Sequence, residues 1–143
     1  AGRIYQFYQN VMFLEDKLIT LNGLDHFGIE ISNMEKSKEF YCRILGMKMQ
    51  AEFGNMTLMK CGQNELALFE RNDLGPKSSE LVNTPLGRGH WAFKVNNNDF
   101  DLAQQQFPQQ EIPMHGPIDW GDHKCLYFLD PDGNLLELIS YPD

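Results

Sequence analysis

The chain has 143 residues, with 12 Lys+Arg against 20 Asp+Glu, a formal net charge of −8 and 42% hydrophobic residues. This composition predicts one domain and disfavours nucleic-acid or anionic-membrane partners, and no apolar run approaches the roughly 18 residues of a membrane span. The three separated cysteines suggest neither a disulfide framework nor a cysteine zinc site. We therefore expect a soluble, cytoplasmic protein with a small-molecule partner.

The first half of the chain predicts a β-α-β-β-β unit after an N-terminal extension, residues 1–21. Residues 24–31 alternate between apolar and polar side chains, which predicts a strand. Ser32 and Glu35 have the spacing of a capping box, and the helical spacing that follows ends at Gly46. Three short strands, separated by turn signals, are then predicted near residues 47–53, 56–61 and 64–70.

The second half repeats this order after a long connection. Residues 71–88 contain glycine and proline and show little periodicity, which predicts a loop long enough to be functional. Residues 89–95 alternate like the first strand, Asn98 is predicted to cap a helix, and Pro108 to stop it. Three further strands are predicted near residues 111–116, 124–130 and 134–140.

The two halves match at their first strands. Residues 25–31 and 89–95 share a histidine, an aromatic residue, a small residue and the same alternation. Such an internal repeat indicates a duplicated supersecondary unit. We therefore predict modules at about 22–70 and 89–141, within a single domain formed by residues 22–143.

Three side chains in this pattern suit a metal ion. Because side chains alternate across a strand, His26 and His90 lie opposite the large apolar faces, and Glu137 joins them if its leucine neighbours face the helices. Each residue alone is more often structural or exposed. Together, two imidazoles and a carboxylate form a set that binds divalent first-row metals and leaves coordination positions open.

Five segments carry a family resemblance: Leu24-Asp25-His26, Phe40-Tyr41, Leu45-Gly46-Met47, Gly89-His90 and residues 127–138, YFLDPDGNLLEL. Across residues 22–141 they make the chain resemble the vicinal oxygen chelate superfamily. That superfamily contains glyoxalase I, fosfomycin-resistance proteins, extradiol dioxygenases and metal-free bleomycin-binding proteins. The resemblance implies an α+β fold in which two paired βαβββ modules form a cup, and a homodimer whose metal site lies within one chain or across two.

The resemblance also implies a metal-dependent enzyme whose substrate chelates the metal through neighbouring oxygens. A divalent ion, Zn, Mn, Fe, Ni or Co, would be held by His26, His90 and Glu137. Glu137 and Tyr127 are the predicted catalytic residues, and Tyr127 would donate a hydrogen bond within the cup. From alternation alone, a core tyrosine is an equal alternative. The alternative function is a metal-free drug- or metabolite-binding protein, which would have no need of the complete ligand set.

The sequence differs from individual branches of the superfamily, and these differences reduce the number of reaction classes to consider. Glyoxalase I has a carboxylate ligand at the position of Ala67, and glutathione-type fosfomycin transferases have threonine at the position of Gly28. Extradiol dioxygenases need a further histidine, and residues 62–88 contain none. These departures favour a lyase or transferase over an oxygenase. Glu30 and Lys94 occupy corresponding positions in the two modules and are predicted to form an ion pair in the cup or to contact polar substrate.

Overall fold

The computed structural model describes residues 16–142 and contains two four-stranded sheets. Residues 17–25 form no helix or strand, and residues 1–15 of the predicted N-terminal extension lie outside the described residues. The first module consists of β1 (His26–Ile31), α1 (Met34–Glu39) with a π-helical turn (Phe40–Ile44), β2 (Lys48–Phe53), β3 (Met56–Cys61) and β4 (Asn64–Glu70). Its strand order is β1-β4-β3-β2, with β1 and β4 parallel and the other pairs antiparallel.

The second module repeats this topology. After a 3₁₀ turn (Ser79–Val82) it consists of β5 (Trp91–Lys94), α2 (Asn97–Gln109), β6 (Met114–Asp119), β7 (Lys124–Leu129) and β8 (Leu135–Ser140). Its strand order is β5-β8-β7-β6, with β5 and β8 parallel. The predicted α+β fold of two βαβββ modules is confirmed. Among residues 16–142, no helix has both the length and the apolar character needed to cross a membrane.

The helix starts differ from the sequence prediction. Asn33, not Ser32, caps α1, because its Oδ1 accepts a hydrogen bond from the backbone N–H of Lys36 at 3.0 Å. The side chain of Ser32 instead donates to Asp132, so a tertiary contact replaces the predicted capping box. Asn96, the first of three consecutive asparagines, caps α2 in place of Asn98. In both cases several side chains could cap the helix, and the surrounding fold selects one.

Both sheets turn their helix-facing sides toward one core. The ring of Phe128 in β7 lies 6.4 Å from that of Phe40, which follows α1, and 4.9 Å from that of Phe107 in α2. In β1, Phe27 packs against Trp91 and Phe93 of β5, with ring centroids 4.5 and 5.9 Å apart. The opposite faces of the two sheets therefore point away from this shared core, and we call them the outward faces.

The turn between β7 and β8 forms hydrogen bonds that connect the two modules. Tyr41, which follows α1, donates its hydroxyl hydrogen bond to the buried carboxylate of Asp130 at 2.7 Å. Asp132 accepts from the backbone N–H of Ser32 at 3.1 Å and from its hydroxyl at 2.5 Å. Residues 130–134 are therefore both a turn and an attachment to the first module.

One buried hydroxyl is a weak point of the first module. Ser37 of α1 is fully buried, and its Oγ has no hydrogen-bond partner among residues 16–142. An unpaired buried hydroxyl carries a desolvation cost, and alanine also has the higher helix propensity. We expect Ser37→Ala to increase the free energy of unfolding by about 1 kcal/mol, measured by urea denaturation.

Ser140 provides the matched control. It is also buried, but its hydroxyl donates to Oδ1 of Asn97 at 2.7 Å. Ser140→Ala should therefore lower the free energy of unfolding by about 1 kcal/mol. Destabilisation by both substitutions would show that Ser37 has a partner in solution.

Candidate metal centre

His90 and Glu137 meet on the outward face of the second sheet. Leu136 and Leu138 of β8 are buried in the shared core, so Glu137 between them points to the other side. Although it points away from the core, the side chain of Glu137 is only 9% exposed, because neighbouring side chains cover it. His90 immediately precedes β5, and its Nε2 lies 3.2 Å from Oε1 of Glu137. The structure thus brings two of the three predicted ligands into contact.

The hydrogen bonds of His90 decide what this pair can bind. Nδ1 of His90 lies 2.7 Å from the carbonyl oxygen of Arg88, which can only accept, so Nδ1 carries a hydrogen. In the neutral ring, Nε2 then presents a lone pair to the carboxylate of Glu137. Two acceptors facing each other are stabilised by a cation between them or by a second ring proton. The arrangement therefore fits a divalent metal ion, with Arg88 orienting the ligand ring.

His26 resembles His90 in having its Nδ1 hydrogen-bonded, but it lies in the first sheet. Its Nδ1 is 2.6 Å from Oδ1 of Asp25, which leaves Nε2 available, and its side chain is 52% exposed. A carboxylate on the remote nitrogen is typical of metal-binding histidines. His26 begins β1, on the outward face of the first sheet, where it pairs with Glu65 of β4.

The three predicted ligands do not converge within one chain. Among residues 16–142, no three His, Cys, Asp or Glu side chains are grouped closely enough to hold a metal ion. The physical reason is the shared core: the outward face that holds His26 and the one that holds His90 and Glu137 lie on different sheets with the core between them.

Tyr127 lies beside the His90–Glu137 pair. It is directly opposite Glu137 in the register of β7 and β8, and its ring centroid is 5.3 Å from that of His90, edge to face. Burial, followed by the nearby charge of Glu137, raises the pKa of Tyr127 to about 12. Tyr127 therefore keeps its phenolic hydrogen at neutral pH and can donate a hydrogen bond.

The connecting loop covers part of this face. Val82, in the 3₁₀ turn, is buried against a second apolar cluster that includes Cys125, Tyr127 and Leu135. Tyr127 thus packs in a small apolar cluster and also borders the polar pair, and its role as a hydrogen-bond donor to substrate stays a prediction. The contribution of Val82 was not predicted, although Leu81 and Val82 form an adjacent apolar pair in a loop that is mostly polar.

A protein-family comparison identifies the chain. The model of the Glyoxalase/Bleomycin resistance protein/Dioxygenase superfamily matches residues 23–138. The chain belongs to this superfamily. It is a vicinal oxygen chelate protein, as the five sequence segments suggested.

Individual members of the superfamily resemble the chain over most of its length. Glutathione transferase FosA from Serratia marcescens is 29% identical over 125 residues, which cover 82% of this chain and 80% of the relative. Metallothiol transferase FosB from Staphylococcus haemolyticus is 32% identical over 120 residues, covering 82% and 83%.

Solved structures of the superfamily share the fold. A glyoxalase/dioxygenase from Nostoc punctiforme superposes with a TM-score of 0.75 at 24% identity, covering 90% of this chain and 99% of that one. A glyoxalase family protein from Enterococcus faecalis gives a TM-score of 0.63 at 30% identity, covering 82% and 97%. Two modules around a shared core are therefore the glyoxalase/bleomycin-resistance fold.

One predicted contact of this superfamily member does not form. Glu30 pairs with Arg71 at 2.8 Å and not with Lys94, because Glu30 and Lys94 lie in different sheets. Arg71 also bonds Asp73 at 2.6 Å, and this contact lowers the pKa of Asp73. The Nζ atom of Lys94 instead lies 6.0 Å from the ring centroid of Tyr141. The charge of Glu30 is thus compensated within the first module.

Proposed function

We propose that the chain is a metal-dependent enzyme acting on a small substrate that chelates the metal through neighbouring oxygens. The observation that carries this proposal is the lone pair of Nε2 of His90, held against the carboxylate of Glu137 by the hydrogen bond from Nδ1 to Arg88. The name of one relative, metallothiol transferase, supports metal-dependent chemistry, and the names of both relatives support transfer that involves a thiol.

We infer that the third ligand, His26, comes from a second copy of the chain in a homodimer. His26 points outward on one sheet and the His90–Glu137 pair points outward on the other. We call His26 and the His90–Glu137 pair the two half-sites. A second copy of the chain can bring the half-site of one copy against the other half-site of its partner. The face around His26 also exposes Phe69 and Phe53, whose aromatic rings favour burial against another surface.

Some residues of the proposed site would bind the metal ion, and others would contact the substrate. A divalent ion, Zn, Mn, Fe, Ni or Co, would be held by His26, His90 and Glu137 and would supply Lewis-acid stabilisation of developing negative charge. Ala67 in β4 adds no carboxylate, so the protein supplies three ligands. Tyr127 would donate its phenolic hydrogen bond to the substrate oxygen on which negative charge develops, and Val82 shields Tyr127 from water.

A transferase or lyase is the favoured reaction class. The names of FosA and FosB describe transfer of a thiol compound, and residues 62–88 contain no histidine for an oxygenase site. The substrate class to be screened first is therefore an electrophile that carries two neighbouring oxygens, together with a thiol.

We expect turnover that depends on both metal and Tyr127. Metal-depleted protein and protein reloaded with Mn²⁺ or Zn²⁺ are assayed on fosfomycin with thiols, on 2-oxoaldehyde–thiol adducts and on catechols. Removing the metal should abolish turnover. Tyr127→Phe should lower kcat by about a hundredfold while changing substrate affinity little, because a hydrogen bond to developing charge acts mainly in the transition state.

Tyr141→Phe is the matched control, because Tyr141 is exposed and lies outside the proposed site. Unchanged kcat in Tyr127→Phe would remove Tyr127 from the mechanism. Oxygen consumption with a catechol, faster than any thiol-dependent turnover, would reverse the ranking of reaction classes. Tight ligand binding without metal and without turnover would instead establish the metal-free binding protein.

A further inference from the structure

The segment that leads into His26 is apolar and exposed, and we call residues 16–25 the N-terminal arm. Four of its large apolar side chains are between 61% and 96% exposed: Leu18, Ile19, Leu21 and Leu24. Gly23 has a φ of 131°, and a Cβ atom placed on it would meet no atom within 4 Å. The arm therefore reaches β1 with its apolar side chains largely uncovered by its own chain.

A second exposed leucine, Leu86, precedes His90. The N–H of Arg88 donates to the carbonyl oxygen of Pro85 at 3.2 Å, which closes a turn with Leu86 at its corner. Nε of Arg88 also donates to the carbonyl oxygen of Thr84 at 2.7 Å, and the carbonyl oxygen of Arg88 accepts from Nδ1 of His90. An ordered turn attached to the His90 half-site thus leaves Leu86 57% exposed.

The two exposed segments have equivalent places in the two modules, because the arm enters β1 as the turn at residues 85–88 leads to β5. Leu24 is two residues before His26, and Leu86 is four residues before His90. If a metal ion joins His26 of one copy to the other half-site of its partner, the arm of the first copy approaches the turn of the second. A twofold axis repeats this contact, so it occurs twice in the dimer.

A second copy of the chain is the occupant that suits the arm. Single exposed leucines are common, but four large apolar side chains within residues 18–24 form a surface that favours burial. An anionic lipid surface is disfavoured by the formal net charge of −8. The connecting loop of a second copy, by contrast, offers exposed Leu86 and half-buried Leu81, which packs on the apolar cluster around Tyr127.

We propose that the N-terminal arm of each copy crosses to the second copy and packs Leu21 and Leu24 against Leu81 and Leu86 of the partner subunit, beside the shared metal site. The inference rests on the proposed function, because the shared metal ion is what brings the arm to this turn. It goes further in assigning the arm an interaction surface and a partner.

The first test measures association. A variant that combines Leu21→Ser and Leu24→Ser is compared with the unaltered protein by sedimentation over a range of concentrations, with Mn²⁺ present. Because each lost contact occurs twice, the Kd of the dimer should rise at least about a hundredfold. Leu102→Ser is the matched control, since Leu102 is a 53% exposed leucine on α2, and it should change this Kd by less than about twofold.

Metal binding provides a second readout of the same variant. The substitutions in the arm remove none of the three proposed ligands. At concentrations above its dimer Kd, the variant should therefore still bind about one Mn²⁺ per chain. Its defect should lie in association and not in the metal site.

The second test locates the arm by cross-linking. Leu24→Cys and Leu86→Cys variants are mixed, exchanged as dimers and treated with a short bis-maleimide. About half of the dimers then combine the two variants, and these should become covalent dimers. Either variant alone measures the background from the native cysteines. A mixture of Leu24→Cys and Leu102→Cys is the matched control and should stay at that background.

The outcomes distinguish this inference from the function on which it rests. An unchanged dimer Kd in the arm variant, or no gain of covalent dimer in the first mixture, would overturn the role of the arm and leave the shared metal site standing. A cross-link formed only within single chains that carry both Leu24→Cys and Leu86→Cys would place the arm on its own chain and would also overturn it. An unaltered protein that binds Mn²⁺ as a monomer would overturn the shared site, and this inference with it.

Discussion

Mixing the His26→Ala and Glu137→Ala variants is expected to restore metal binding that neither variant has alone. If each site combines His26 of one copy with His90 and Glu137 of the other, a mixed dimer contains one site with all three ligands. The variants by themselves lack a ligand in every site and should bind Mn²⁺ at least about a hundredfold more weakly than the unaltered protein. Restoration therefore requires the ligands to come from two chains.

The stoichiometry is as informative as the restoration. Equal amounts of the two variants, exchanged to equilibrium in mild urea and returned to buffer, give about half mixed dimers. Each mixed dimer has one intact site, so metal analysis should find about one tightly bound Mn²⁺ per four chains. The unaltered protein, treated identically, should bind about one per chain.

A matched mixture distinguishes shared sites from general stabilisation by dimer exchange. His90 and Glu137 belong to the same half-site, so a mixture of His90→Ala and Glu137→Ala has no complete site in any dimer. This mixture should remain without tightly bound metal. If the unaltered protein binds metal and the first mixture fails to recover it, the site lies within one chain and the inferred arrangement is wrong.

Local periodicity explains why each half-site was predictable from the sequence. Alternation along β8 assigns Leu136 and Leu138 to the core and Glu137 to the other face, and the structure has this arrangement. The repeat likewise assigns equivalent positions to His26 and His90. Alternation specifies the face of a side chain because successive residues point to opposite sides of the strand.

The relation between the two half-sites was not predictable in this way. It depends on contacts between modules, such as those of Phe40 and Phe107 with Phe128, and a strand pattern contains no information about them. The same limit applies to Val82, whose burial was not predicted because its loop has no periodicity. Likewise, Ser32 has a good capping sequence but bonds Asp132, which is 100 residues away.

Asp130 is the residue whose loss should destabilise the fold most. Its Oδ1 accepts hydrogen bonds from the backbone N–H groups of Asp132 and Asn134 at 2.9 and 2.8 Å. Its Oδ2 accepts from Tyr41 at 2.7 Å and from the side chain of Asn134 at 2.8 Å. Asn134 in turn donates to the carbonyl of Glu30 at 3.1 Å, so one buried carboxylate orders both the turn and its attachment to the first module.

We expect Asp130→Ala to lower the free energy of unfolding by about 3 kcal/mol or more, because several buried donors lose their acceptor together. Tyr41→Phe removes only one donor and should cost about 1.5 kcal/mol. Asp132→Ala, in the same turn, is the control: it loses only the two hydrogen bonds from Ser32 and should cost about 1 kcal/mol. Urea denaturation measures all three. Equal losses in Asp130→Ala and Asp132→Ala would contradict the central role of Asp130.

The pH dependence of this effect has a definite sign. Burial raises the pKa of Asp130 above its ordinary value of 3.8, so the folded chain retains this proton to higher pH than the unfolded chain does. The corresponding contribution to stability is complete below pH 3.8 and is lost as pH rises through the raised pKa. Asp130→Asn has no proton to lose there. The stability of the unaltered protein relative to Asp130→Asn should therefore be greatest near pH 4 and decline toward neutrality, as measured by urea denaturation across that range. An advantage that grows with pH would mean that the hydrogen bonds to the carboxylate outweigh its burial and lower the pKa of Asp130.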